Sequence, residues 1–432
     1  MDKKGSNNDI ESGLIDQKSL CFEDLRFKLH AKSGESKELL HGINGLVREG
    51  ETLAIMGPSG AGKTTLLDLL TLEYHGGEPS GKVSLHGNPF SHILFRKVGA
   101  YVPQYDVHWA FLTPRETIFF AAQFLVPKDS DTVQEKVNSI LDKMGLQDCA
   151  DTKVGNTFLR GISGGQQRRL SLAVALVKSP LVVFMDEPTS GLDAAAAAKI
   201  TSFLKECTQQ SRVISVMTIH QPSSQMFSEF DQVMVLSAGR VAYCGPAEAM
   251  SVYLESIGSP VPPRMNPADF VLSLVNKEFS DPKQVHELLE LWNQNSHAKS
   301  IKQVVAANID SRSRFLERTE IGFQHTRYPK QLQVMLQRHA LLVVRDPTLY
   351  FGRMVLSVLA CSFFSIVYID SRDRRQGTAL LRVFLGIWSF GVPCSLAVVS
   401  VFVYNREFYA IRKEVKNEHY AQLCHLNGAL EA

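Results

Sequence analysis

The residues best suited to chemistry stand together at Gly57-Pro58-Ser59-Gly60-Ala61-Gly62-Lys63-Thr64-Thr65. Their spacing, G-x-x-x-x-G-K-[ST], is that of a phosphate-binding loop. Gly57, Gly60 and Gly62 let the backbone turn its N–H groups inward around a polyphosphate. A helix opening at the loop adds partial positive charge at its N-terminus. Lys63 then reaches the β- and γ-phosphates, and Thr64 offers a hydroxyl to Mg²⁺. The flanks agree with the motif. Leu53-Ala54-Ile55-Met56 before it is a short apolar run of strand type, and Leu66-Leu67-Asp68-Leu69-Leu70 after it has helical composition.

A second cluster lies far along the chain. Leu181-Val182-Val183-Phe184-Met185 is an apolar strand that runs into Asp186-Glu187. Two carboxylates at the end of a buried strand are costly unless a cation or water satisfies them. Asp186 suits Mg²⁺ through water, and Glu187 suits a general base toward an attacking water. Gln104 ends another strand, over 98–104, where it can touch the metal and that water; a loop glutamine otherwise sees only solvent. His220 follows the apolar run 213–219, placed either for a γ-phosphate or for structure alone. Ser163-Gly164-Gly165-Gln166 opens a helix and can expose several N–H groups to an anion; taken alone it is also an ordinary serine N-cap. Phe22 and Phe27 lie in a strand over 20–30, either to stack on a base or to fill the core.

These residues need elements to hold them. Strands are expected over 20–30, 39–47, 98–104, 181–185, 213–219, 233–236 and 240–244, with a hairpin at 81–88. Thr113-Pro114-Arg115-Glu116 is a capping-box start for a helix through Ile118 and Ala122, and Val133, Val137, Ile140, Leu141 and Met144 share one helical face. A helix is expected over 194–205. Alternating strands and helices with a helical insertion make an α/β fold. A net charge of +2 argues against a nucleic-acid partner. Seven scattered cysteines have no metal-ligand spacing and read as reduced thiols. Residues 1–19 look like a solvated tail without a signal peptide.

Taken in order, six elements resemble the ATP-binding cassette ATPases. Walker A is Gly57 to Thr65, the Q-loop is Gln104, and the signature is Ser163 to Gln166. Walker B ends at Asp186 with Glu187 after it, the D-loop ends at Asp193, and the switch histidine is His220. The resemblance implies ATP and Mg²⁺ as cofactors. Gly57, Pro58, Ser59, Gly60, Ala61, Gly62, Lys63, Thr64, Thr65 and Phe27 would hold ATP. Thr64, Gln104 and Asp186 would meet the metal, and Glu187, His220, Gln104 and Lys63 would act in catalysis. It also implies a head-to-tail dimer in which Ser163, Gly164, Gly165, Gln166 and Asp193 of one cassette complete the other's site. Thr218-Ile219-His220-Gln221-Pro222-Ser223, Asn266-Pro267-Ala268-Asp269-Phe270 and Arg345-Asp346-Pro347 further resemble the G subfamily, the White-type half-transporters. The signature departs mildly, with Gln167-Arg168-Arg169 where that family has Glu-Arg-Lys-like sequence.

The expected organisation is a P-loop cassette over 20–280, a helix-bearing linker over 281–328 and a partial all-α transmembrane domain over 329–432. An amphipathic helix over 329–345, with Leu332, Leu336 and Val343 against Lys330, Gln333 and Arg338, resembles the family's connecting helix at the membrane surface; packing on the cassette is the alternative. Apolar stretches over 349–369 and 378–404 are long enough to span a bilayer, with Arg353 and Arg382 near their ends. Residues 405–432 form a cytosolic tail, and the family's further spans are absent before Ala432. The expected function is the ATP-hydrolysing subunit of an exporter of lipids, sterols or hydrophobic compounds, membrane-integral with a cytosolic cassette. Its partners are a second half-transporter subunit, identical or different, and the bilayer. A truncated regulatory product and a non-transport ATPase are the alternatives.

Overall fold

A computed structural model of the chain describes residues 18–30, 36–74, 76–125, 130–156, 159–276, 281–310 and 328–345, with six helical positions between 355 and 366. The chain divides into two compact units. One comprises residues up to Asp106, Ser139–Leu146 and Ser163–Gln324; the other comprises Val107–Asn138, Gln147–Ile162 and the chain from His325.

Among the described residues the first unit carries ten strands: β1 (Ser19–His30), β2 (Ser36–Arg48), β3 (Thr52–Met56), β4 (Gly77–Leu85), β5 (Asn88–Pro89), β6 (Gly99–Val102), β7 (Val182–Met185), β8 (Ile214–Thr218), β9 (Gln232–Ser237) and β10 (Arg240–Pro246). They form two sheets. The smaller has the order β2-β1-β4-β5, and its strand pairs are antiparallel. The larger has the order β10-β9-β3-β8-β7-β6, parallel except for the β10 edge. Every residue of β3, β6, β7 and β8 is buried. Parallel strands are covered on both faces, so they read as continuous apolar runs instead of alternating ones. This is why those strands are legible from composition alone.

One short element departs from expectation. Ser91 caps a helix over His92–Val98, its side chain accepting from the Leu94 amide, so the strand leading to Gln104 begins at Gly99. The helix expected in the linker forms over Pro282–Gln294 and buries Val285, Leu288, Leu289 and Trp292. Trp292 lies 5.4 Å from the Tyr243 ring of β10 and 5.3 Å from Tyr253. Burial of that aromatic cluster, worth roughly 1.5–3 kcal/mol per large side chain, docks the helix on the cassette. Asp281 and Pro282 give it a capped start.

In the second unit, the helix Pro114–Leu125 begins with the expected capping box. The Thr113 amide donates to Glu116 Oε2 at 3.0 Å and the Glu116 amide to Thr113 Oγ1 at 3.2 Å. The helix Tyr328–Arg345 packs beside it. Arg345 donates to both Glu116 oxygens at 2.7 and 2.8 Å. Arg338, expected on the polar outer face, is instead 2 % exposed and lies over the Trp109 ring at 4.9 Å and the Phe124 ring at 5.8 Å. A guanidinium can be buried this way because its flat faces stack on aromatic rings. Leu332 and Leu336 point outward, exposed.

The expected spans over 349–369 and 378–404, Arg353 and Arg382 among them, lie outside the described residues apart from the six helical positions, as do the tail before Lys18 and the chain after 366. Among the described residues no helix is long and apolar enough to cross a membrane.

Candidate functional site

Strand order assembles the site. β3, β8, β7 and β6 lie side by side and parallel. The residues just past their C-terminal ends therefore line one edge of the sheet: the loop from Gly57 after β3, His220 beyond β8, Asp186-Glu187 after β7, and Gln104 beyond β6. In open parallel sheets ligands bind beyond those ends.

The loop wraps tightly at its start. Gly57 has φ +157°, and a Cβ there would come within 2.4 Å of the Leu236 carbonyl oxygen, so glycine alone lets β9 approach. Pro58 is half-buried, Ala61 is buried, and Ser59 and Gly60 are exposed. Lys63 is 7 % exposed, and its Nζ donates to the Gly57 carbonyl at 2.7 Å and the Pro58 carbonyl at 3.0 Å. Burial lowers the Lys63 pKa, while the charges of Glu187 and Asp186 push it back up. Thr64 stands exposed and Thr65 half-buried in the first turn of the helix Lys63–Leu70.

The carboxylates are held from the neighbouring strand. Asp186 is 9 % exposed, and its Oδ1 accepts from Thr218 Oγ1 at 2.6 Å. That same hydroxyl oxygen accepts from the Glu187 amide at 2.9 Å. Glu187 takes φ +42°, a left-handed conformation that costs a non-glycine residue of order 1–3 kcal/mol. Its Oε2 accepts from Gln104 Nε2 at 2.7 Å. Gln104 thus meets Glu187 directly, Asp186 stands next to it in the chain, and Lys63 is close enough to feel both carboxylate charges.

Two groups at this site escape sequence reasoning. Thr218, fully buried at the end of β8, orients Asp186. Arg168 is 2 % exposed in the helix Gly164–Leu176 and donates to the carbonyls of Pro103 at 2.7 Å and Gln104 at 2.5 Å. Its Nη1 also lies 3.2 Å from Asp106 Oδ1, which accepts from Ser171 Oγ at 2.5 Å. Burial lowers the Arg168 pKa against the raising effect of Asp106 and Asp186. The available signal is the doubled arginine of Arg168-Arg169 inside a helix whose later positions are apolar.

Other predicted residues stand apart. Phe27 is 4 % exposed with its ring 6.3 Å from Tyr74; Phe22 is fully buried. Both rings pack in the core of the described fold. Ser163 and Gln166 close a capping box on each other, the Gln166 amide donating to Ser163 Oγ at 3.3 Å and the Ser163 amide to Gln166 Oε1 at 2.8 Å. A Cβ on Gly165 would meet nothing within 4 Å, and one on Gly164 only Leu192 at 3.9 Å. The chain's own packing therefore does not require glycine at either position. Asp193 is an exposed N-cap for the helix Ala194–Ser211, accepting from the Ala196 amide at 2.8 Å. His220 is exposed one residue beyond the buried Ile219.

A family model described as ABC transporter matches residues 40–190, from β2 through the turn after Glu187. A second, described as ABC-2 type transporter, matches residues 220–328. The ABC transporter G family member 22 of Dictyostelium discoideum is 32 % identical over 422 residues, covering 93 % of this chain and 66 % of the relative. The chain belongs to the G family of ATP-binding cassette transporters. The G family member 17 of Arabidopsis thaliana is 31 % identical over 384 residues, covering 83 % of this chain and 58 % of its own length. This G-family chain thus spans under two thirds of the curated relatives it matches. Among solved structures, cbiO1 from Clostridium perfringens, part of the ABC transporter complex cbiONQ, aligns at 24 % identity with a TM-score of 0.47, over 56 % of this chain and 94 % of its own. Two of the wordings that resemble the G family touch in the cassette: Asn266 Nδ2 donates to the Pro222 carbonyl at 2.8 Å.

The family binds ATP, and the residues present fit it with its metal. A tight loop meets a helix start, and Thr64, Gln104 and Asp186 offer the hard oxygen donors Mg²⁺ prefers. Among the described residues no cluster of three or more His, Cys, Asp or Glu is placed to hold a metal alone. Mg²⁺ on a nucleotide needs none, because phosphate and water fill most of its octahedron.

Proposed function

We propose that this chain is the ATP-binding and ATP-hydrolysing subunit of a G-type exporter of lipids, sterols or other hydrophobic compounds. Its cassette works in the cytosol, and its partners are a second half-transporter subunit and the bilayer. The observation that carries the reading is the 2.7 Å hydrogen bond between Gln104 and Glu187, beside the Thr218-oriented Asp186 and the Lys63 loop. In this reading Lys63 and the loop amides hold the β- and γ-phosphates. Mg²⁺, when bound near Thr64, Gln104 and Asp186, neutralises charge on the phosphate oxygens. Glu187 takes the proton from the water that attacks the γ-phosphate, and Gln104 keeps its carboxylate aimed. His220 contacts the γ-phosphate from the next strand. Ser163 to Gln166 and Asp193 serve the partner's nucleotide. The open space around Gly164 and Gly165 supports that role, since close approach by an outside group explains glycines the fold does not need. The relatives' names and the sequence's apolar stretches support the membrane half.

Glu187→Gln tests the chemistry. It removes the base but keeps the size and the Gln104 contact, so ATP should stay bound and hydrolysis should fall by about 10²- to 10⁴-fold. ATP-loaded dimers of the variant should accumulate on size exclusion in detergent. Undiminished phosphate release would show that Glu187 is not the base. Stimulation of hydrolysis by added sterol or lipid, absent with a hydrophilic solute, checks the substrate class.

A further inference from the structure

Arg168 occupies a position that the ATPase reading does not by itself explain. Its guanidinium donates to the carbonyls of Pro103 and Gln104, lies 3.5 Å from the Glu187 carbonyl, and pairs with Asp106. Two of those three carbonyls belong to the residues whose side chains meet, Gln104 and Glu187. Those residues are 83 positions apart in sequence and come after two different strands, β6 and β7. The ladder of β6 and β7 ends at Val102 and Met185, with one more backbone bond from the Asp186 amide to the Val102 carbonyl at 2.9 Å. Beyond that, each turn leaves the sheet, and Arg168 is a direct tie between them. Arg168 also lies one turn along the helix capped by Ser163. Asp106 and Ser171 fix the tie from the Q-loop and the helix, respectively.

We propose that Arg168 is a positioning residue for ATP hydrolysis. It holds the Gln104 and Glu187 turns in register so that the amide meets the carboxylate, and it couples that register to the helix capped by Ser163. The proposal rests on the ATPase reading of the site. The residue type is set by the geometry. Three carbonyls and one carboxylate around one side chain call on the several N–H donors of a guanidinium, whereas an ammonium is a compact point donor. A displacement of the water-activating carboxylate by about 1 Å is enough to cost a factor of about 100 in rate.

Arg168→Met would strand Asp106 beside unpaired carbonyls and is expected to unfold, so Arg168→Lys carries the test in the full chain. Arg168→Lys should leave fluorescent-ATP affinity close to that of the parent while kcat falls about 10- to 100-fold. Combined with Gln104→Ala, it should add no further loss, because both act through one contact. Hydrogen exchange without nucleotide should rise over 103–106 and stay unchanged in β9 and β10. Parental kcat in Arg168→Lys, a loss that adds in full to that of Gln104→Ala, or unchanged exchange over 103–106 would overturn the proposal. A parent chain that does not hydrolyse ATP would overturn the ATPase reading instead, and exchange then decides on the Arg168 tie.

Discussion

Lys63 sits where its own loop already satisfies it. Its ammonium donates to two carbonyls of the turn before it, and only 7 % of the residue is exposed. In the proposed ATPase reading, holding the charge there keeps it at the phosphate loop before any ligand arrives. Each charge-assisted phosphate contact contributes roughly 1.5–3 kcal/mol. Lys63→Met keeps the apolar stem and loses the charge, so ATP binding should weaken by about 10- to 100-fold. A fluorescent-nucleotide titration of the purified variant measures this, with circular dichroism to confirm that it is folded. Equal affinity in variant and parent would remove Lys63 from the site. Glu187 shows the converse economy: its φ of +42° is strained, and the Thr218 hydroxyl holds its amide in place. Strain at a residue that must act is tolerated when its neighbours over-determine it.

At the scale of the element, the helix Gly164–Leu176 separates stability from function. Its start is secured by the Ser163–Gln166 capping box. Ser163→Ala should cost about 1 kcal/mol through the lost cap. Gly165 is the informative contrast. It has helical backbone and open space where a Cβ would go, and alanine is favoured over glycine in a helix by up to about 1 kcal/mol. Gly165→Ala should therefore hold or raise the melting temperature, yet lower ATP hydrolysis if a partner's nucleotide must approach that backbone. Thermal unfolding and phosphate release on the same sample check both halves. Full activity in Gly165→Ala would mean that nothing approaches this turn closely.

For the whole molecule, the decisive relation is that of the chain to a bilayer. The described helices include none able to cross it, while the sequence over 349–369 and 378–404 is apolar enough to do so. The full chain expressed in cells should stay in the membrane pellet after an alkaline carbonate wash. The cassette alone carries many buried contacts but no such stretch, so release of the full chain into the wash would sink the membrane reading.

Much of this protein was legible in one dimension. The phosphate loop needs its residues contiguous, so nine consecutive positions announce it. The buried parallel strands β3, β7 and β8 are apolar runs because both their faces are covered, and the Thr113 and Glu116 capping box is local by nature. The resemblance to the cassette ATPases needed only the order of such motifs, and the G family only three short stretches, at 218–223, 266–270 and 345–347. What the chain could not disclose is whatever depends on which strands are neighbours. Gln104 and Glu187 meet because β6 lies beside β7, and Asp186 is oriented by Thr218 because β7 lies beside β8. Phe27 is a core ring, Arg338 a buried cation and the segment after Pro282 a docked helix, each for the same reason: burial is settled by partners from distant sequence. Arg168 is the strongest case. An arginine next to a second arginine in a helix reads as a solvated face, and only the folded chain wraps three carbonyls and a carboxylate around one of them.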